Sequence, residues 1–146
     1  MNNHLIRTHM LCTVTRTSKK MVTEYIKEGY LIPFKEQQPG AKLDLTVADI
    51  VMMGIMRGIV PGGGDKEPLQ ELAKGLHDMV SDNYTRLDKL NWIIVDLVDM
   101  KWKIVDSANA YDSCPNEDSR LLKSIKISEF TNRFMELNIA EPKVKR

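Results

Sequence analysis

The sequence predicts an α+β fold, with helices gathered toward the N-terminus and a small β-containing segment toward the C-terminus. Three observations lead to it. Apolar residues recur at helical spacing in three stretches of the first 60 positions and again from Leu69 to Leu90, while Trp92 to Val105 is dense in β-branched residues. The run Pro61-Gly62-Gly63-Gly64, which no regular element tolerates, separates the first helical group from the second. With 146 residues, 42% of them hydrophobic and 28% charged, the chain has enough apolar surface to bury a core and is not disordered. The expected organisation is residues 1–60 as one domain, 61–67 as a Gly-rich linker, and 68–146 as an accessory region.

In chain order, Leu5, Ile6, Met10, Leu11 and Val14 predict a first helix over about His4 to Thr13. Thr15 to Ser18 then makes a short connection, with Thr17 or Ser18 placed to cap the next helix through a side-chain oxygen. In that next helix, Ser18 to Glu28, Met21, Val22, Tyr25 and Ile26 form one apolar face. Arg16, Lys19, Lys20, Thr23 and Lys27 lie at its start or on its outer side, where they can reach phosphates or base edges. Gly29 supplies a C-terminal stop and Pro33 prevents resumption.

Beyond Pro33 a wing is expected over residues 31–45: two short strands, Leu31 to Phe34 and Lys42 to Leu45, joined by the turn Gln37-Gln38-Pro39-Gly40. Lys35, Gln37, Gln38 and Lys42 would lie along a phosphate backbone, although a solvated loop accounts for each of them singly. Thr46 and Asp49 form the start of a third helix, apolar nearly all round from Ile50 to Ile59 and therefore covered on several sides. Gly54 and Gly58, four apart, admit a close helix crossing. The methionines between positions 52 and 79 read as core filler.

After the linker, Leu69, Leu72, Leu76, Met79, Asn83 and Leu90 trace a heptad-like seam, with Asn83 as the polar member that can fix register. Two uses of this seam compete evenly: homodimerisation, and packing on the chain's own core. Trp92 to Leu97 and Lys101 to Asp106 are expected as a hairpin turning near Asp99, with a continued dimer helix as the alternative. Ser107 to Ser119 reads as a loop and Leu121 to Ile127 as a strand. Ser128 is expected to cap a last helix carrying Phe130, Phe134 and Leu137, before a basic tail from Lys143 to Arg146.

Charge is unevenly placed. The net charge is +1, yet residues 1–42 hold seven Lys and Arg against three Asp and Glu, a balance of +4 facing −3 in the remainder. A basic first third fits contact with an anionic polymer. Cys12 and Cys114 form no CxxC pair, which points to a reducing interior, and the N-terminus lacks a signal-peptide pattern. The longest apolar stretch, Ile50 to Val60, is too short for a bilayer and is interrupted by Arg57. A cytoplasmic protein without membrane contact is therefore expected.

No enzyme, cofactor or metal reading emerges. His9 and Cys12 share a helix face without a third ligand nearby, and Pro61-Gly62-Gly63-Gly64 is followed by Asp65-Lys66-Glu67 where a phosphate loop needs Lys-Ser/Thr.

The pattern Tyr25-x-x-x-Gly29-x-Leu31-x-Pro33, preceded by two helices and followed by the wing and Thr46-x-x-Asp49-Ile50, resembles the MerR-type winged helix-turn-helix regulators over about residues 5 to 60. The family's Arg-Tyr-Tyr-Glu run is Thr23-Glu24-Tyr25-Ile26 here, so the usual arginine contact is missing, and Lys42 lies near the family's wing arginine. The likeness is to divergent modules of phage and mobile elements, and the family's cysteine metal site has no counterpart. The resemblance implies double-stranded DNA as partner, residues 18–28 as recognition helix, and a dimer formed through the helix after the wing. Arg16, Thr17, Lys19, Lys20, Thr23, Lys27, Lys35, Gln38 and Lys42 are the expected DNA contacts. The competing expectation is a winged fold used for protein contact, as in a phage structural or DNA-packaging component.

Overall fold

A computed structural model describes residues 5–37, 42–62, 64–106 and 122–140. Gln38, the loop from Ser107 to Ser119 with Cys114, and the basic tail lie outside the described residues.

The chain is a mixed α+β structure built around one very apolar helix. The helices are α1 (Thr8–Thr15), α2 (Lys19–Lys27), α3 (Val47–Ile59), α4 (Lys66–Asp82) and α5 (Ile127–Ala140), and the strands are β1 (Trp92–Asp96), β2 (Lys101–Val105) and β3 (Leu122–Lys126). The strands form an antiparallel sheet in the order β2-β1-β3, with Ile93 opposite both Ile104 and Ile125. The expected hairpin over 92–106 is present, and β-branched side chains fill its central strand. No helix is long and apolar enough to cross a membrane among the described residues.

α3 sits at the centre because its side chains leave it no polar face to show. Every residue from Val47 to Met56 is buried, and so is Ile59. α1, α4, α5 and β3 all contact it. Two close approaches to α3 depend on glycine: towards α5, a Cβ on Gly54 would stand 2.6 Å from Phe130 Cζ, and towards β3, one on Gly58 would stand 2.8 Å from Ile125 Cδ1. Phe130 and Ile125 therefore occupy the space that side chains at 54 and 58 would need.

α1 begins later than the spacing predicted. Leu5 to Arg7 is extended, and Ile6 pairs with Leu45 in an isolated antiparallel bridge, its N–H donating to the Leu45 carbonyl at 2.8 Å. Apolar spacing does not distinguish a strand residue from a helix start when both bury the same side chain.

The wing ribbon is a second correction. Among the described residues of 31–45 there is no strand. Pro33 has no N–H to give, the Phe34 N–H goes to the Asp49 carboxylate at 3.2 Å, and Leu45 is paired with Ile6. The Gln37 side chain takes the place of a partner strand: its amide donates to the Asp44 carbonyl at 2.8 Å and accepts from the Asp44 N–H at 2.9 Å. Phe34 stacks on His77 of α4 with ring centroids 4.1 Å apart, which holds the loop against the body.

The heptad-like seam is used within the chain. Leu69, Leu72, Leu76, Met79 and Leu90 are all buried, in the same hydrophobic cluster as Leu11, Val22 and Ile50. Of the two uses expected for the seam, packing on the chain's own core is the one these contacts show. Asn83 is not in a helical seam; α4 ends at Asp82, and the Asn83 amide donates to the Met79 carbonyl at 2.9 Å. Residues Tyr84–Lys89 form tighter turns with a break at Arg86, which is why the periodicity to Leu90 overstated the helix. The Gly-rich run does not divide two cores, because the main cluster draws residues from both sides of it. Ser128 lies inside α5 and is not its cap; its N–H donates to the Asn91 carbonyl at 3.2 Å.

The start of α3 carries a titratable group with a measurable consequence. The Asp49 carboxylate accepts from the Thr46 N–H at 2.7 Å, the Thr46 hydroxyl at 3.0 Å and the Phe34 N–H. Burial nevertheless outweighs these bonds and pushes its pKa up to about 6 from an ordinary 3.8. The folded chain thus holds a proton there that the unfolded chain releases between pH 4 and 6. Stability from this group is fully present below pH 4 and falls as pH rises toward 6. Urea unfolding across pH 3.5 to 7 should show Asp49→Asn losing less stability than the parent over that window, by about 2–3 kcal/mol at most. Parallel pH profiles for the two proteins would contradict the assignment.

Candidate nucleic-acid interface

α2 owes its position to ties at both ends. At its start the Ser18 hydroxyl accepts from the Met21 N–H at 3.0 Å, the N-cap that the sequence predicts. At its end Gly29 takes φ +80°, and the Tyr30 and Leu31 N–H groups both return to the Tyr25 carbonyl, at 2.9 and 3.1 Å. α4 holds that end from outside: Gln70 donates to the Glu28 carbonyl at 2.7 Å, and Lys66 forms an ion pair with Glu28. Val22 is fully buried, with Met21, Tyr25 and Ile26 packed against the core.

Docking of that face leaves the opposite one in solvent. Lys19, Lys20, Thr23 and Lys27 are all exposed. At 3.6 residues per turn they fall within about 100° of arc, with Glu24 at its margin. None of the three lysines forms an ion pair among the described residues. Thr23 donates its hydroxyl proton to the Lys19 carbonyl at 3.0 Å, which leaves the oxygen to accept. The surface is therefore a convex strip of cationic donors with one hydroxyl, suited to oxyanions and to acceptor-rich base edges.

The turn before α2 divides its two candidates. Thr17 is half-buried, and its hydroxyl is 2.8 Å from that of Thr15, so it serves the turn. Arg16 is exposed and left-handed, with φ 56° and ψ 47°, and its N–H closes α1 on the Cys12 carbonyl. A left-handed arginine costs backbone energy that glycine would not. Lys35 and Lys42 are exposed on the described parts of the 31–45 loop, on the flank of this strip in sequence.

No group of three or more potential metal ligands occurs among the described residues, and burial raises the Cys12 thiol pKa against the weaker opposing effects of Thr17 and Lys19.

Sequence reasoning missed a second basic cluster. Arg57, Lys126 and Arg133 come from α3, β3 and α5 and meet Arg16 around a cleft of about 350 Å³. Arg57 was visible as the one charge in an apolar run. Its partners were not, because α1, β3 and α5 come beside α3 only in the folded chain. No family model matches the chain, and no curated protein matches it.

The strain at Arg16 yields a test. Arg16→Gly should raise stability by about 0.5–1 kcal/mol by relieving the left-handed cost, measured by urea unfolding. A loss of stability would show that the arginine side chain supports the fold.

Proposed function

We propose that this protein is a double-stranded DNA-binding regulator of the winged helix-turn-helix kind, with α2 entering the major groove. The observation that carries this reading is the outward strip of Lys19, Lys20, Thr23 and Lys27 on a helix whose other face is docked and whose ends are both tied. A helix tied at both ends, with cations that form no ion pair among the described residues, meets the two needs of groove recognition: fixed geometry and attraction to phosphate.

In this reading α1 is the supporting helix, and Arg16 clamps the backbone at the entry to α2. The loop 31–45 acts as the wing, its described residues held by Gln37 on Asp44 and by Phe34 on His77, with Lys35 and Lys42 turned to the flanking phosphates. Gln38 remains a wing candidate on sequence grounds alone. A cytoplasmic setting goes with this role. A homodimer, where formed, would use a surface other than Leu69, Leu72, Leu76, Met79 and Leu90. The second reading, a protein-contact or assembly module, shares the same fold and predicts no polyanion dependence.

Lys19→Glu/Lys20→Glu separates the two. In mobility-shift titrations on mixed duplex DNA across a salt series, the variant should bind about tenfold or more weakly, with the salt slope reduced by about 2. Equal affinity in parent and variant, or no parent binding at low salt, would favour the assembly reading.

A further inference from the structure

The cleft beside the α1–α2 turn gathers four cations, of which only Arg16 is among the proposed DNA contacts. Arg16 at the end of α1, Arg57 on α3, Lys126 on β3 and Arg133 on α5 all line it. Among the described residues the one carboxylate lining it, Glu129, is already paired with Arg133. Four described cations therefore face one described acid in this concavity.

Arg133 is fixed by its surroundings. Its Nη1 donates to the Val14 carbonyl at 2.8 Å, satisfying an end carbonyl of α1, while its Nη2 takes Glu129. Lys126 extends over the Trp92 ring with its Nζ 6.0 Å from the centroid. Arg57 and Arg16 are exposed and form no ion pair among the described residues. Gathering like charges in this way is unfavourable unless an anion joins them, and guanidinium groups match tetrahedral oxyanions through paired N–H donors.

We infer that this cleft is a phosphate-binding site in which Arg57, Lys126 and Arg16 contact the oxyanion and Arg133 positions the wall. The excess of charge selects phosphate over a singly charged carboxylate. Two sources supply that chemistry: a backbone phosphate of a bound duplex, since Arg16 also adjoins the α2 strip, or the phosphate of a free small molecule. The site itself does not depend on the DNA reading.

The test follows the Trp92 indole N–H by NMR in the full-length chain, titrated with inorganic phosphate at constant ionic strength. A saturable shift is expected, weakened about tenfold in Arg57→Gln and in Lys126→Gln, and unchanged in Lys74→Gln, an exposed lysine on α4 outside the cleft. Arg57 and Lys126 are both exposed, so thermal melts of the two variants should match the parent. Absence of a saturable shift, or equal shifts in all four proteins, overturns the inference. Duplex affinity then identifies the source. A parallel loss in both cleft variants assigns the site to backbone phosphate, and unchanged duplex affinity with lost phosphate binding assigns it to a free phosphorylated ligand.

Discussion

A helix with no polar side has to be enclosed, and the enclosure of α3 dictates where the rest of this chain goes. Ten consecutive buried residues from Val47 to Met56 demand neighbours in every direction. α1, α4, α5 and β3 supply them. The closest approach is between Gly54 and the Phe130 ring, which leaves no room for even a methyl group and makes the C-terminal segment part of the same core as the N-terminal helices. Removing one cover would expose several large side chains at once, each worth about 1.5–3 kcal/mol of burial.

The same enclosure explains the position of the candidate interface. Because α4 is used to cover α3, its first turn lies beside the end of α2, where Gln70 and Lys66 reach Glu28. Because α5 is used as well, Arg133 reaches the end of α1, and a basic cleft forms where α1, α3, β3 and α5 meet. α2 contributes only Val22 fully to the core, so its polar face stays outside. The outward strip and the cleft are thus two consequences of one packing arrangement, joined at Arg16.

Much of the local structure was legible in the sequence because its signals act over four or five residues. Ser18 as cap, Gly29 as stop, Thr46 with Asp49, and the hairpin pivoting near Asp99 all rest on backbone chemistry close to the residue concerned. The features that escaped it depended on distant partners. Ile6 leaves helical geometry because Leu45 offers it a carbonyl, and the described residues of 31–45 form no strand because Gln37, Asp49 and Ile6 satisfy groups a second strand would have used. The seam from Leu69 to Met79 has the same spacing whether its partner is a second copy or α3, so periodicity could not choose between them. The cleft was illegible for the same reason: four cations from four elements have no spacing in sequence.

The N-terminal helices and the β1-to-α5 segment share one core through α3, and native-state hydrogen exchange of the full chain in rising urea tests this most directly. The slowest amides of α1, α3, α4 and β1 should converge on one opening free energy. Separate openings for residues 5–60 and for the β1-to-α5 segment, differing by about 2 kcal/mol or more, would contradict a shared core.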